Sequence, residues 1–145
     1  MKILTKYHGE AEILESEIIH FDNGIPGFPE EHRFALLPLP EQSVFSIMQS
    51  VDSAHLAFVV AEPFTFFPEY DFSLDEGAIE QIGLESGNDA HILVILTIHE
   101  PFNESTANLQ APIVININSR RAKQVILSDE KYITKHLLFE QQAKG

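Results

Sequence analysis

Apolar and polar residues alternate along this chain in short runs, and the runs are broken by Gly, Pro, Asn, Asp and Ser. That pattern predicts eight strands, at 2–7, 12–21, 33–38, 44–50, 56–61, 91–98, 112–117 and 122–127. In "HILVILTIH" one strand face carries His91, Leu93, Ile95, Thr97 and His99, and the other carries Ile92, Val94, Leu96 and Ile98. Both faces are largely apolar, as are those of "LAFVVA" at 56–61. A strand apolar on both faces lies mid-sheet, with core beneath and another layer above.

One stretch has helical rather than strand spacing. In "SLDEGAIEQIGLESG", Leu74, Ala78 and Ile82 share a face with Ile79 beside them. Ser73 and Glu76 have capping-box spacing, and Gly83 or Gly87 can end the helix in the left-handed conformation. This predicts a short helix near residues 74–83. The tail from Ser128 to Phe139 reads as a short helix or an extended segment, and residues 140–145 are expected to fray. Short strands at near-regular spacing with one helix predict a mostly β fold, an antiparallel barrel-like or two-sheet β domain. No repeat, low-complexity tract or linker interrupts the chain, so residues 1–145 are expected to form a single domain.

Charge adds a second layer to this picture. The formal net charge is −13, and from Phe34 to Ser119 there is no lysine or arginine, against 12 acids. Such a surface repels phosphate backbones, so direct nucleic-acid binding is not expected. Its complement is a basic protein partner, although acidity also serves solubility alone. No apolar run reaches the ~18 residues of a membrane span. The absence of cysteine removes disulfides and thiolate metal sites, and fits a cytoplasmic location.

Candidate chemistry is sparse. His91 and His99 share a strand face but lie roughly 27 Å apart along it, too far to share an ion. His20 with Asp22, and His8 with Glu10, lack a third ligand nearby in sequence. "GLESG" at 83–87 is not GxSxG, and it follows a helix where a nucleophile elbow follows a strand. Phosphate-binding glycine patterns are absent, and only Arg120, Arg121 and Lys123 are placed to serve a cofactor phosphate. They read instead as the charged tip and edge of a hairpin. No catalytic residue, metal ligand or cofactor is expected. Glu10, Glu12, Glu15 and Glu17 read as a solvated strand edge.

Two stretches stand apart. "EPFTFFPEYDF", residues 62–72, sets five aromatics and two prolines among three acids with no regular period. Some of its rings must enter the core; any left outside beside carboxylates would resemble an interface hot spot. "DNGIPGF", residues 22–28, has turn chemistry, with Pro26-Gly27 suited to the centre of a type II turn. Its Ile25 and Phe28 either close one end of a barrel or face a partner.

The segments "IIHFDNGIPGFPEEHRFALLPL", "FSIMQSVDSAHLAFVVAEPFTFFPEYDF" and "TANLQAPIVININSRRAKQVILSDEKY" occur in this order over most of the chain. Together they resemble the FliW flagellar assembly factor family. The resemblance implies a small barrel-like binding protein, not an enzyme. It also implies two partners: flagellin before export, and the carbon storage regulator CsrA, a small basic dimer that represses translation by binding messenger RNA. In the family, antagonism of CsrA is allosteric, without occupation of the RNA site, and derepresses flagellin synthesis. The candidate contacts are Glu62, Phe64, Phe66, Phe67, Glu69, Tyr70 and Asp71, then Asp75 and Glu76, with Ile25 and Phe28 of the loop. The alternatives are a flavin-type small-barrel cofactor binder or enzyme, and a flagellin chaperone that does not contact the regulator.

Overall fold

The computed structural model describes residues 1–39 and 42–139. Its strands are β1 (Lys2–Leu4), β2 (Glu10–Glu12), β3 (Ile19–Phe21), β4 (Arg33–Leu39), β5 (Gln42–Ser50), β6 (Ala57–Ala61), β7 (Ala90–Thr97), β8 (Thr106–Ala107), β9 (Ile113–Asn116), β10 (Arg121–Gln124) and β11 (His136–Leu137). The α-helix, α1, is Glu76–Ile82.

The principal sheet runs β7-β6-β5-β4-β3-β10-β9, and β9 returns to pair with β7 through registers such as Leu93↔Ile113. Seven strands thereby close into a barrel. Every neighbouring pair in it is antiparallel except β3–β10, where His20 lies opposite Arg121 in a parallel pairing. Closure removes the exposed edges that would template aggregation. β8 pairs with the far end of β7, and β11 pairs with β8, so the chain's tail lies outside the barrel.

Side chains alternate across the barrel wall, as the two apolar faces of the sequence require. Inside pack Ile19, Phe21, Phe34, Met48, Val60, Leu93, Ile113, Ile115 and Ala122. A barrel of this size is filled by its own side chains. Outside, one wall carries Ala61, Val94, Leu96 and Val114 and is covered by α1, the 62–72 segment and the tail. The opposite wall carries Ala35, Leu37 and Ile47 and is covered by the β1–β2 hairpin through Ile3 and Ile13. The expected layer over the mid-sheet strands is therefore present, and the helix supplies only part of it.

Several sequence expectations need correction. The strand expected at 12–21 is broken by a turn of 3₁₀ helix at Glu15–Glu17, which places Glu15 and Glu17 off any strand edge. α1 starts later than the Ser73–Glu76 pair predicts. Asp75 is the N-cap, accepting from the Ala78 amide at 2.7 Å, while Gly83 ends the helix with φ 68° as expected. Asp75 wins because its carboxylate is a charged acceptor at the positive end of the helix. Arg120 does mark a hairpin tip, but Arg121 and Lys123 lie on β10 between β3 and β9, not on an edge. The tail is extended and carries the short β11. Residues 140–145, expected to fray, lie outside the described residues.

The loop 22–28 is a two-residue hairpin around Pro26-Gly27. Ile25 and Phe28 exchange main-chain bonds of 3.2 and 2.6 Å, and Gly27 takes φ 89°, as a type II turn requires. Ile25 is 2% exposed and joins the barrel interior, closing that end.

Candidate interaction face

The 62–72 segment leaves the barrel where β6 ends. Pro63 opens a turn of 3₁₀ helix at Pro63–Thr65, and the amides of Phe66 and Phe67 both bond to its carbonyl, at 3.1 and 2.8 Å. Proline suits that position because its missing N–H would have had no helical partner. The turn fans the aromatic rings apart. Phe66 stacks on Phe45 with centroids 5.8 Å apart, Phe67 meets the edge of His136, and Phe64 stays 47% exposed.

Tyr70 is the keystone of the segment. It is 5% exposed, packs edge-on against Tyr132 at 4.7 Å, and donates its hydroxyl to the Leu109 carbonyl at 2.6 Å. Burial, with a smaller effect from Tyr132, raises its pKa above the ordinary tyrosine value. The Tyr132 hydroxyl in turn accepts from the Asp71 amide at 3.0 Å. The tail and the aromatic segment thus hold each other in place.

Two open grooves flank this ridge, and Tyr70 lines both. One, of 510 Å³, is floored by Phe64, Phe72, Leu74, Ile79, Leu84 and Ile92, with Asp71 and Glu85 also lining it. The other, of 430 Å³, lies between Phe66, Phe67 and Glu69 on one side and Tyr132, Lys131 and His136 on the other. The first groove is lined by Asp71 and Glu85 with no lysine or arginine, whereas the second sets Glu69 with Lys131. Residues 69–89 hold seven acids and no lysine or arginine, and among the described residues only the Asp75 carboxylate of that set accepts a hydrogen bond.

The candidate contacts do not all gather here. Phe64, Phe66, Phe67, Glu69, Tyr70 and Asp71 line one or both grooves, and Asp75 and Glu76 follow at the start of α1. Glu62 turns to a barrel mouth, 2.7 Å from His91 Nε2. Ile25 and Phe28 lie at the other end of β6, where Phe28, 40% exposed, packs against Phe58. Ile25 and Tyr70 are buried, so neither presents its side chain at the surface. The sequence reading missed the groove floor, Leu84 and Ile92, and the tail's Tyr132 and His136. The tail is brought in by the β8–β11 pairing, which no local pattern signals.

Among the described residues no cluster of three His, Cys, Asp or Glu is placed to hold a metal. Arg121 pairs with Asp22 at 3.0 Å and Arg120 donates to the Glu17 carbonyl, so two of the three cations considered for a cofactor phosphate make internal bonds. No described helix is long and apolar enough to cross a membrane.

A closed small barrel with an aromatic, carboxylate-rich face and two apolar grooves has the architecture of a protein-docking module. A family model described as FliW protein matches residues 2–138. The chain is 54% identical over 139 residues to the flagellar assembly factor FliW of Geobacillus sp. strain WCH70, covering 96% of each chain. It is 52% identical over 136 residues to that of Bacillus subtilis strain 168, covering 94% of this chain and 95% of the relative. A crystal structure described as that of the flagellar assembly factor FliW superposes with a TM-score of 0.94 at 50% identity, covering 99% of this chain and all of that one. The chain belongs to the FliW family of flagellar assembly factors.

Proposed function

We propose that this protein is a partner-switching regulator of the cytoplasm that acts by docking and not by catalysis. It binds flagellin and the RNA-binding repressor CsrA by mutually exclusive or linked contacts. Antagonism is noncompetitive: the acidic face docks beside the RNA site and raises the cost of bringing a polyanion to it, so flagellin translation is derepressed. The observation that carries this reading is the seven-acid stretch at 69–89, whose carboxylates are almost all left without an internal partner beside exposed aromatics. Opposite potentials steer such a surface toward a basic protein. The effect reaches about one screening length, ~8 Å at physiological salt, and weakens as salt rises.

Mixing the purified protein with CsrA at physiological salt is expected to give a complex on gel filtration and to release CsrA-bound RNA. Adding flagellin is expected to dissolve that complex. Flagellin binding without any CsrA complex would reduce the role to that of a chaperone.

A further inference from the structure

Between Tyr70 and Asp75 the chain alternates with a period of two. Tyr70 is buried and Phe72 and Leu74 are half-buried, while Asp71, Ser73 and Asp75 are exposed. This is the pattern of a strand with one face on a core, yet the segment pairs with no strand among the described residues. The main-chain groups of Phe72, Ser73 and Leu74 make no hydrogen bond to any described residue. Other extended stretches outside the strands are tied down, as Val125 is to Pro112, Leu127 to Gln110 and Leu138 to Ser105.

Beside this segment runs the 510 Å³ groove, with an apolar floor and with Asp71 and Glu85 on its lining. Neither carboxylate makes an ion pair among the described residues. Three features therefore coincide: unpaired main-chain donors and acceptors, an apolar trough, and uncompensated negative charge.

We infer that Tyr70–Asp75 is an acceptor edge for strand addition, taking an extended segment of a basic partner in which aliphatic residues alternate with Lys or Arg. The inference rests on reading this face as the partner surface, and goes beyond it in fixing the conformation and pattern of what binds. An extended segment pairs its backbone with residues 72–74, places every second side chain in the trough and sets its cations against Asp71 and Glu85. A helix satisfies its own main-chain groups and would leave those of 72–74 unpaired. An acidic segment is excluded by the like charge of the lining.

The test uses an acetylated peptide of alternating lysine and valine, with two controls. One has the same residues in blocks, and the other is N-methylated on the edge that would pair. At saturation, amide exchange within Phe72–Leu74 is expected to slow about tenfold or more, and the N-methylated and block peptides are expected to bind at least about tenfold more weakly. The Asp71→Asn/Glu85→Gln protein, checked for an unchanged melting profile, is expected to lose about fivefold in affinity. Equal affinity of the N-methylated peptide, or unchanged exchange at 72–74 under saturation, overturns strand addition. Intact CsrA separates the two readings. If CsrA binds and releases RNA while exchange at 72–74 stays fast with CsrA and peptide alike, this inference fails and the regulator role stands. If the peptide protects 72–74 but CsrA never binds, the regulator role fails and the edge assignment stands.

Discussion

Two regions of this molecule use the same kinds of residue to opposite ends. At the end of the barrel formed by residues 22–33 and 50–56, polar side chains are consumed by the fold. Glu31 accepts the hydroxyls of Ser50 and Ser53, each at 2.6 Å, and Arg33 grips Asp52 through two bonds of 2.6 and 3.2 Å. That guanidinium, despite some opposing desolvation, holds the Asp52 carboxyl below its usual range. Gln49 is fully buried; its amide donates to the carbonyls of Ser50, Ala54 and Leu56, and its oxygen accepts the Lys6 amide at 2.9 Å. On the 62–89 face, by contrast, Glu69, Asp71, Glu76 and Glu85 have no such partners among the described residues. Carboxylates bonded inside the fold define shape. Those left outside it are available for recognition.

The sharpest way to break the first region is at Gly24. Its φ is 71°, and a Cβ there would lie 2.5 Å from the Pro29 carbonyl oxygen and 2.8 Å from that of Phe28. Both atoms are backbone, so neither can swing away. Gly24→Ala is expected to cost about 3 kcal/mol, the sum of left-handed strain and overpacking. Gly27 supplies the control. Its φ is 89°, but a Cβ at that position would meet nothing within 4 Å, so Gly27→Ala should cost about 1 kcal/mol. Chemical denaturation of the two variants tests the difference, and equal losses would assign the whole effect to φ. Next in size is Gln49→Ala, which strands the Lys6 amide and the carbonyls of Ser50 and Ala54, while the Leu56 carbonyl keeps the Ser50 amide. An expected loss of about 2 kcal/mol in the same assay would place the β5–β6 loop within the cooperative fold.

How legible all this was depends on the range of the interactions. The alternation of "HILVILTIH" and "LAFVVA" gave the two-faced strands because burial on both sides is written in consecutive residues. The turn at Pro26-Gly27 was legible for the same reason. Closure of β9 onto β7, and the parallel pairing of β3 with β10, were not, because they join residues roughly twenty and a hundred positions apart. The break at Glu15–Glu17 and the shift of the N-cap to Asp75 turned on competition between nearby polar groups that spacing alone does not rank. At the candidate face, the aromatics and acids of 62–72 stood out by composition, but which ring would be buried depended on a tail sixty residues away: Tyr70 is fixed by Tyr132 and Leu109. The alternation from Tyr70 to Asp75 was present in the sequence and was obscured by the helix signal that follows it.

Tyr70 is the point where the candidate face is anchored to the core, and its loss sharpens the contrast between the regions. Tyr70→Phe keeps the ring and removes the bond to the Leu109 carbonyl, at an expected cost of about 1 kcal/mol. The sign of its pH effect follows from burial. Below about pH 10 the hydroxyl is neutral in both folded and unfolded chains. As pH rises past that value the unfolded chain ionises first, because the folded pKa is raised, so stability falls. The alkaline limb of the stability profile should therefore be shallower in Tyr70→Phe, as read by thermal melts across that range. An unchanged limb would mean that this tyrosine is not the group that titrates.

The smallest effect on folding should accompany a large effect on binding. Glu69 and Asp71 are exposed, and neither carboxylate has a partner among the described residues, so Glu69→Lys/Asp71→Lys should move stability by no more than about 0.5 kcal/mol. Relief of repulsion within the seven-acid stretch can even make the change slightly favourable. The same pair reverses charge beside both grooves, and is expected to weaken CsrA binding about tenfold or more at physiological salt, with a shallower salt dependence than the parent. Reversing Asp52 instead breaks its pair with Arg33 and should lower stability while leaving CsrA affinity intact. Calorimetry on both proteins, with melting curves alongside, tests the division directly. If Asp52→Lys weakens binding as much as the Glu69/Asp71 pair does, recognition depends on net charge and not on this face, and the distinction between consumed and available carboxylates loses its functional meaning.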